Sequence, residues 1–262
     1  MPKMMPAPKA RRSFDLPVKS RIVGRAVRLI AAAVAITALS GCQGIVSNPS
    51  LSQVRVITTS PDAQGIDVYI NTTLLVPNMG FGTITSYVPA DPNTYTISTK
   101  VAGSSTLLTT AKATFVASKQ YTVLIGNVAA DLQQTTLTDQ SQAAPSGQIS
   151  LRFLDQATRV GAMDVYLVPA GAKFTSVTPI VTNLTFGINT GYLNVPTGTY
   201  TVVLVPTGTI PTSSTIATYT GAQITYTGGS ATTIILIDQQ LVTTPGLQVI
   251  MATDFTSPTA TS

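Results

Sequence analysis

The chain repeats itself, and this repeat constrains its fold more than any other feature. Asp67-Val68-Tyr69-Ile70 returns as Asp164-Val165-Tyr166-Leu167, an offset of 164 − 67 = 97 positions. Asn78-Met79-Gly80-Phe81-Gly82 followed by Tyr87 returns as Asn183-Leu184-Thr185-Phe186-Gly187 followed by Tyr192, and Thr94-Tyr95-Thr96 returns as Thr199-Tyr200-Thr201 at the same distance from its tyrosine. A repeat of this length is too long for a solenoid unit and has the size of a whole domain. From the aspartate to the phenylalanine the copies measure 81 − 67 = 14 and 186 − 164 = 22 positions. The second copy therefore carries an insertion, placed around Ala170 to Pro179 and expected in a loop.

Local pattern says what the domains are made of. Tyr95, Ile97, Thr99 and Val101 alternate with Thr96, Ser98 and Lys100, the period of two of a half-buried strand. Tyr121-Thr122-Val123-Leu124-Ile125 and Ile234-Ile235-Leu236-Ile237 read as more completely buried strands. Val, Ile, Thr and Tyr are abundant, Glu is absent, and Pro and Gly punctuate at short intervals, which favours strands and turns over helices. The expected fold class is all-β: two tandem immunoglobulin-like antiparallel β-sandwich domains after an N-terminal signal helix. The expected divisions are a signal peptide over 1–41, a tether over 42–52, sandwiches over 53–140 and 148–256, a linker over 141–147 and a disordered tail over 257–262.

The net charge of +5 points at first to a nucleic-acid partner, but its distribution removes that reading. Eight basic residues and one acidic residue precede position 42, whereas seven Lys/Arg stand against nine Asp after it, 7 − 9 = −2. The region beyond lacks the basic clusters that phosphate contact requires.

The basic segment ending at Arg28 runs into an apolar stretch from Leu29 to Leu39 and then Ser40-Gly41-Cys42, the three parts of a signal peptide. The stretch is about half the roughly 20 residues a membrane-crossing helix needs. Leu39-Ser40-Gly41-Cys42 resembles the bacterial lipobox, which implies cleavage before Cys42, the only cysteine, and attachment of lipid to its thiol. Two acyl chains, at about 0.8 kcal/mol per buried methylene, give stable anchoring. Gln43 after the cysteine, by similarity to lipoproteins of double-membrane bacteria, implies transfer to the outer membrane. Arg11-Arg12-Ser13-Phe14 looks like part of a twin-arginine signal but lies far from the apolar stretch.

Ser60-Pro61-Asp62-Ala63, Asp67-Val68-Tyr69, Phe81-Gly82, Tyr87 and Thr94-Tyr95-Thr96, in that order, resemble the bacterial domain of unknown function 4397. The resemblance implies an immunoglobulin-like sandwich of envelope proteins, often in tandem. It covers most of Gln53 to Asp139 and, more loosely, Gln148 to Asp254, where Asp155-Gln156-Ala157 stands in roughly the place of the Ser-Pro-Asp-Ala turn.

Catalytic chemistry finds little material. There is no His, and lipidation consumes the one Cys, so Ser/His/Asp and Cys/His mechanisms are excluded. No phosphate-binding or nucleophile-elbow pattern follows position 42. Asp62, Asp67 and Asp164 are weak calcium candidates, since carboxylates beside turn carbonyls suit a hard cation, but an aspartate at a strand entrance more often accepts from neighbouring backbone amides. Tyr200 sits like the tyrosine of a tyrosine corner, its hydroxyl expected on backbone. Phe81-Gly82 and Phe186-Gly187 are expected to be core rings beside backbone kinks.

The functional expectation is a noncatalytic envelope module without cofactor. Its partners would be a membrane, through lipid on Cys42, and an envelope protein or polysaccharide, with no nucleic acid. The alternative is an adhesin-like or carbohydrate- or calcium-binding surface receptor.

Overall fold

The computed structural model describes residues 51–239 and 246–256; the signal segment, Cys42 and residues 257–262 lie outside the described residues. The first domain contains β1 Ser52–Thr58, β2 Ile66–Ile70, β3 Thr73–Met79, β4 Val88–Ala90, β5 Asn93–Val101, β6 Leu107–Phe115, β7 Gln120–Gly126 and β8 Gln133–Asp139. The second contains β9 Gln148–Asp155, β10 Met163–Pro169, β11 Val181–Leu184, β12 Asn189–Pro196, β13 Gly198–Pro206, β14 Tyr219–Tyr226, β15 Ala231–Asp238 and β16 Leu247–Phe255. Each domain is a sandwich of two four-stranded sheets. The sheet orders are β4-β1-β7-β8 and β3-β2-β5-β6, then β12-β9-β15-β16 and β11-β10-β13-β14, the same topology strand for strand.

Wholly antiparallel pairing is corrected at one place in each domain. β1 runs parallel to β7, from Gln53 opposite Gln120 to Thr58 opposite Ile125, and β9 runs parallel to β15. Between β1 and β7 the chain runs through β2 to β6, of which β4 takes the other side of β1, and a parallel neighbour requires such a long connection. Among the described residues the only helical turns are the 3-10 segments Ala129–Asp131 and Phe174–Ser176.

The two-residue period in β5 has the expected consequence: Tyr95, Ile97 and Thr99 turn inward, and Ile97 and Thr99 are fully buried. The first core gathers Val54, Val56, Val68, Ile97, Phe115, Val123 and Ile125. The second gathers Leu151, Phe153, Val165, Leu184, Leu204, Ile234 and Leu236.

In β1, β7, β9 and β15 the alternate residues are buried as well, because the sheets that contain these strands face each other across the two domains. Ile57 and Leu124 of the first domain pack with Leu154, Ile235 and Ile237 of the second, joined by Leu137, Ala252, Phe81 and Ile84. Burial on both faces is why these strands read as continuous apolar runs rather than alternating ones. Each such side chain contributes about 1.5–3 kcal/mol relative to exposure.

Ala170 to Pro179 falls in the loop between β10 and β11. Its Phe174 meets the Tyr166 ring edge-on at 4.8 Å, and with Val177 it covers Val168, Val203 and Val205 on an outer sheet face. Between β8 and β9 the chain is packed: Ala144 is buried and its N–H donates to the Gly229 carbonyl at 3.0 Å.

Candidate functional site

Asp67 and Asp164 occupy the same place in their two domains and hold the same kind of partner. Asp67 Oδ1 accepts from the Asn78 N–H at 2.8 Å and Oδ2 from the Gly103 N–H at 2.9 Å. Asp164 Oδ1 accepts from the Asn183 N–H at 2.9 Å and the Thr207 hydroxyl at 3.0 Å, and its Oδ2 from the Gly208 N–H at 3.0 Å. The backbone donors hold the Asp67 carboxyl below its ordinary pKa. For Asp164 burial opposes ionisation, but the three donors outweigh it and the pKa again falls. Oxygens surrounded by N–H donors are turned toward partial positive charge, which is unfavourable for a cation.

Asp62 is separate from that pair: its Oδ1 accepts from the Ala129 N–H at 2.8 Å, joining the β1–β2 and β7–β8 connections. The second domain joins the corresponding loops from the other side. Asp238, at the end of β15, accepts from the Thr158 N–H and hydroxyl, both at 2.8 Å, and from the Arg159 N–H at 3.1 Å. No group of three potential metal-ligating His, Cys, Asp or Glu side chains occurs among the described residues.

The tyrosine corners are formed in both copies. Tyr95 donates to the Asp91 carbonyl and Tyr200 to the Pro196 carbonyl, each four residues upstream and each at 2.9 Å. Gly82 and Gly187 make the expected kinks, with φ of 71° and 82°. The phenylalanines beside them differ from expectation: Phe81 and Phe186 are only half-buried, and Phe81 packs in the cluster between the domains rather than within its own core.

The most organised constellation is one that the search for sites from sequence did not single out. At the junction, Arg55 on β1 donates through Nε to Thr122 Oγ1 at 2.8 Å, through Nη1 to the Thr253 carbonyl at 2.9 Å, and through Nη2 to Asp254. Arg152 on β9 does the same in reverse: Nε to Thr233 Oγ1 at 2.9 Å, Nη1 to the Thr138 carbonyl at 3.1 Å, and Nη2 to Asp139 at 2.5 Å. Each arginine uses a threonine of its own domain and an aspartate of the other. Thr122 and Thr233 in turn donate to Asp139 at 2.5 Å and Asp254 at 2.6 Å. Tyr87 and Tyr192 each lie under one guanidinium, 4.7 Å from ring centre to Cζ. The tyrosines part from the symmetry, since Tyr87 donates to Asp139 at 2.7 Å while Tyr192 accepts from the Gln140 N–H at 3.0 Å.

All four ionic side chains are 0–2% exposed. Burial raises the Asp254 pKa, and it also raises the pKa values of Tyr87 and Tyr192, so both phenols stay protonated. Burial works against charge on Arg152, but the Asp139 and Asp254 carboxylates outweigh it and raise its pKa. Two cations against two anions, with their donors and acceptors used, make a neutral buried network that orients one domain on the other. A signal for it existed: Arg55 and Arg152 interrupt the apolar runs of β1 and β9 at matching repeat positions, 152 − 55 = 97.

The reciprocity of the junction fails at one edge. Because Thr122 and Thr233 correspond, so do Gly126 and Ile237; because Tyr87 and Tyr192 correspond, so do Ile84 and Asn189. On the filled edge Ile84 bridges Ile57, and a Cβ on Gly82 would meet Ile237 Cδ1 at 3.9 Å. On the other edge a Cβ on Gly187 would have nothing within 4 Å, and a cleft of about 250 Å³ opens there.

Residues 52–166 match the model of the domain of unknown function DUF4397. The DUF4397 match takes in all of the first sandwich and continues through β9 into β10 of the second. The second sandwich follows the DUF4397 region in topology, sheet for sheet. No curated protein matches the chain. Among solved structures it is similar to CBMbc, of family CBM26, from Eubacterium rectale Amy13K in complex with maltoheptaose, at 10% identity and a TM-score of 0.23, covering 79% of this chain and 98% of that one. It is also similar to the Bacillus anthracis TIE protein, at 10% identity and a TM-score of 0.24, covering 78% of this chain and 44% of that one. At these scores neither structure passes a ligand or role to this chain.

Proposed function

We propose that this chain is a noncatalytic cell-envelope module in which two sandwiches, fixed as one body, present a surface to an envelope protein or polysaccharide. The observation that supports this reading is the reciprocal Arg55/Asp254 and Arg152/Asp139 network. It commits four buried ionisable groups to domain docking rather than to chemistry. It also gives the surface that spans both domains a fixed shape, which a recognition surface needs if binding is not to lose orientational freedom.

The proposed location is the outer membrane, with lipid on Cys42 after removal of residues 1–41. Residues 43–51 then link the lipid to β1, a span of up to about 30 Å when extended. Mass spectrometry of the N-terminal peptide from the producing cell tests the anchor: a diacylglyceryl cysteine at position 42 is expected, and an unmodified thiol overturns it. Crosslinking in the intact envelope, followed by capture of the chain, tests the partner class. Reproducible crosslinks to one envelope component are expected, and recovery of the chain alone argues against an interaction module.

A further inference from the structure

The edge where the junction loses its reciprocity has a composition of its own. Leu124 on β7, Leu137 on β8 and Leu154 on β9 form an apolar floor, with Ile188 of the β11–β12 turn beside it, 46% exposed. Gln133 and Thr135 of β8 stand on one side, and Gln156 and Asn189 on the other. No charged residue lines the cleft.

The opening follows from particular exchanges. Asn189 pairs with Leu154 where Ile84 meets Ile57 on the filled edge, and glycine at 126 replaces the isoleucine found at 237. Gln156 leans over that glycine: a Cβ there would lie 2.3 Å from its Oε1. The Gln156 side chain is held in place by its own Nε2, which donates to the Asp155 carbonyl at 2.9 Å. One edge of the interface is thus sealed by branched apolar side chains, and the equivalent edge is left hollow and rimmed with amides.

We propose that this cleft binds a single neutral, hydroxyl-bearing ring, one saccharide unit of a surface or envelope glycan. Three observations determine the class. At about 250 Å³ the cleft lies below the roughly 300–1,000 Å³ of sites for drug-sized ligands, so it holds one small ring. Its lining carries no charge to compensate an anion or a cation, and burying an unpaired ionic group is costly. Amide and hydroxyl side chains present donors and acceptors together, which matches hydroxyl groups that do both, while the leucine floor accepts the C–H face of a ring. The inference rests on the reading of the chain as an interaction module and names the ligand class for one part of its surface.

The test is saturation-transfer difference NMR on the full chain in detergent, with glucose, galactose, mannose and N-acetylglucosamine as probes and tetra-alanine as a peptide control. Transfer to at least one sugar is expected. The Asn189→Ile variant, which copies the filled edge, is expected to weaken that binding at least tenfold, as is Gln156→Ala, with the melting temperature unchanged in at least one of them. Absence of transfer to every sugar overturns the proposal. So does transfer that neither variant alters, and so does a response to tetra-alanine alone, which would assign the cleft to a peptide strand. Each of these negative outcomes leaves the envelope-module reading standing, because that reading depends on the crosslinking result.

Discussion

Arg55 and Asp254 lie at opposite ends of the folded sequence and in different sandwiches, yet the guanidinium of one donates to the carboxylate of the other with both side chains out of contact with water. Arg152 and Asp139 make the same exchange in the opposite sense.

Removing one arginine leaves a buried carboxylate without its cation, a loss of about 3–5 kcal/mol. Arg55→Ala and Arg152→Ala are therefore each expected to lower the urea midpoint strongly. Because Arg55 also lies 3.7 Å from Asp139 and Arg152 lies 3.9 Å from Asp254, the arginine left in each single variant still partly neutralises both carboxylates, and the double variant should lose more than the sum of the two. Equilibrium unfolding of the three variants checks both statements. Additive losses would show that the two pairs act independently.

Asp155 is fully buried at the end of β9, and its Oδ2 has no hydrogen-bond partner. Burial, with Asp238 nearby and against the Ala157 N–H, pushes its pKa up to about 7. A carboxyl whose folded pKa exceeds its unfolded value is a stability loss that develops as pH rises, absent below about pH 4 and complete above about pH 7. Asp155→Asn should remove that loss, raising the melting temperature at pH 8 and leaving it nearly unchanged at pH 3.5. A variant less stable than the parent at pH 8 would contradict this.

Asp164 ties β10 to the β11 strand and the β13–β14 turn through three donors. Asp164→Ala leaves those donors unpaired and should cost about 2–3 kcal/mol. Its lowered pKa means that its contribution is present above the unfolded carboxyl pKa and is lost as pH falls through the folded one. The difference between parent and variant should thus shrink in acid. Addition of calcium should leave the melting temperature of the parent unchanged, as scanning calorimetry would show.

Tyr200 and Tyr95 each close a corner with a single hydroxyl bond to backbone. Tyr200→Phe keeps the ring and removes the bond, so a loss of about 0.5–1.5 kcal/mol is expected. Tyr200→Ala removes the ring that packs on the second core as well and should cost more. Equal losses in the two variants would place all of the effect in the hydroxyl.

The sequence by itself determined that two similar domains follow one another, because whole blocks recur at domain spacing, and that they are built of strands, because side chains alternate with period two in segments such as Tyr95 to Val101. It also determined the corners, since Tyr95 and Tyr200 bond to carbonyls four residues away and the necessary geometry is local. Tertiary structure alone decided how the domains meet. Arg55 finds its carboxylate 199 positions away, and no local pattern encodes which aspartate will be opposite when two sheets dock. The apolar runs of β1, β7, β9 and β15 announced burial on both faces without naming what covers the second face. The parallel pairs and the open cleft have the same origin: they are set by long crossings of the chain and by how two nearly equal halves fit together, where exchanging Ile84 and Ile237 for Asn189 and Gly126 is felt only once the halves are in contact.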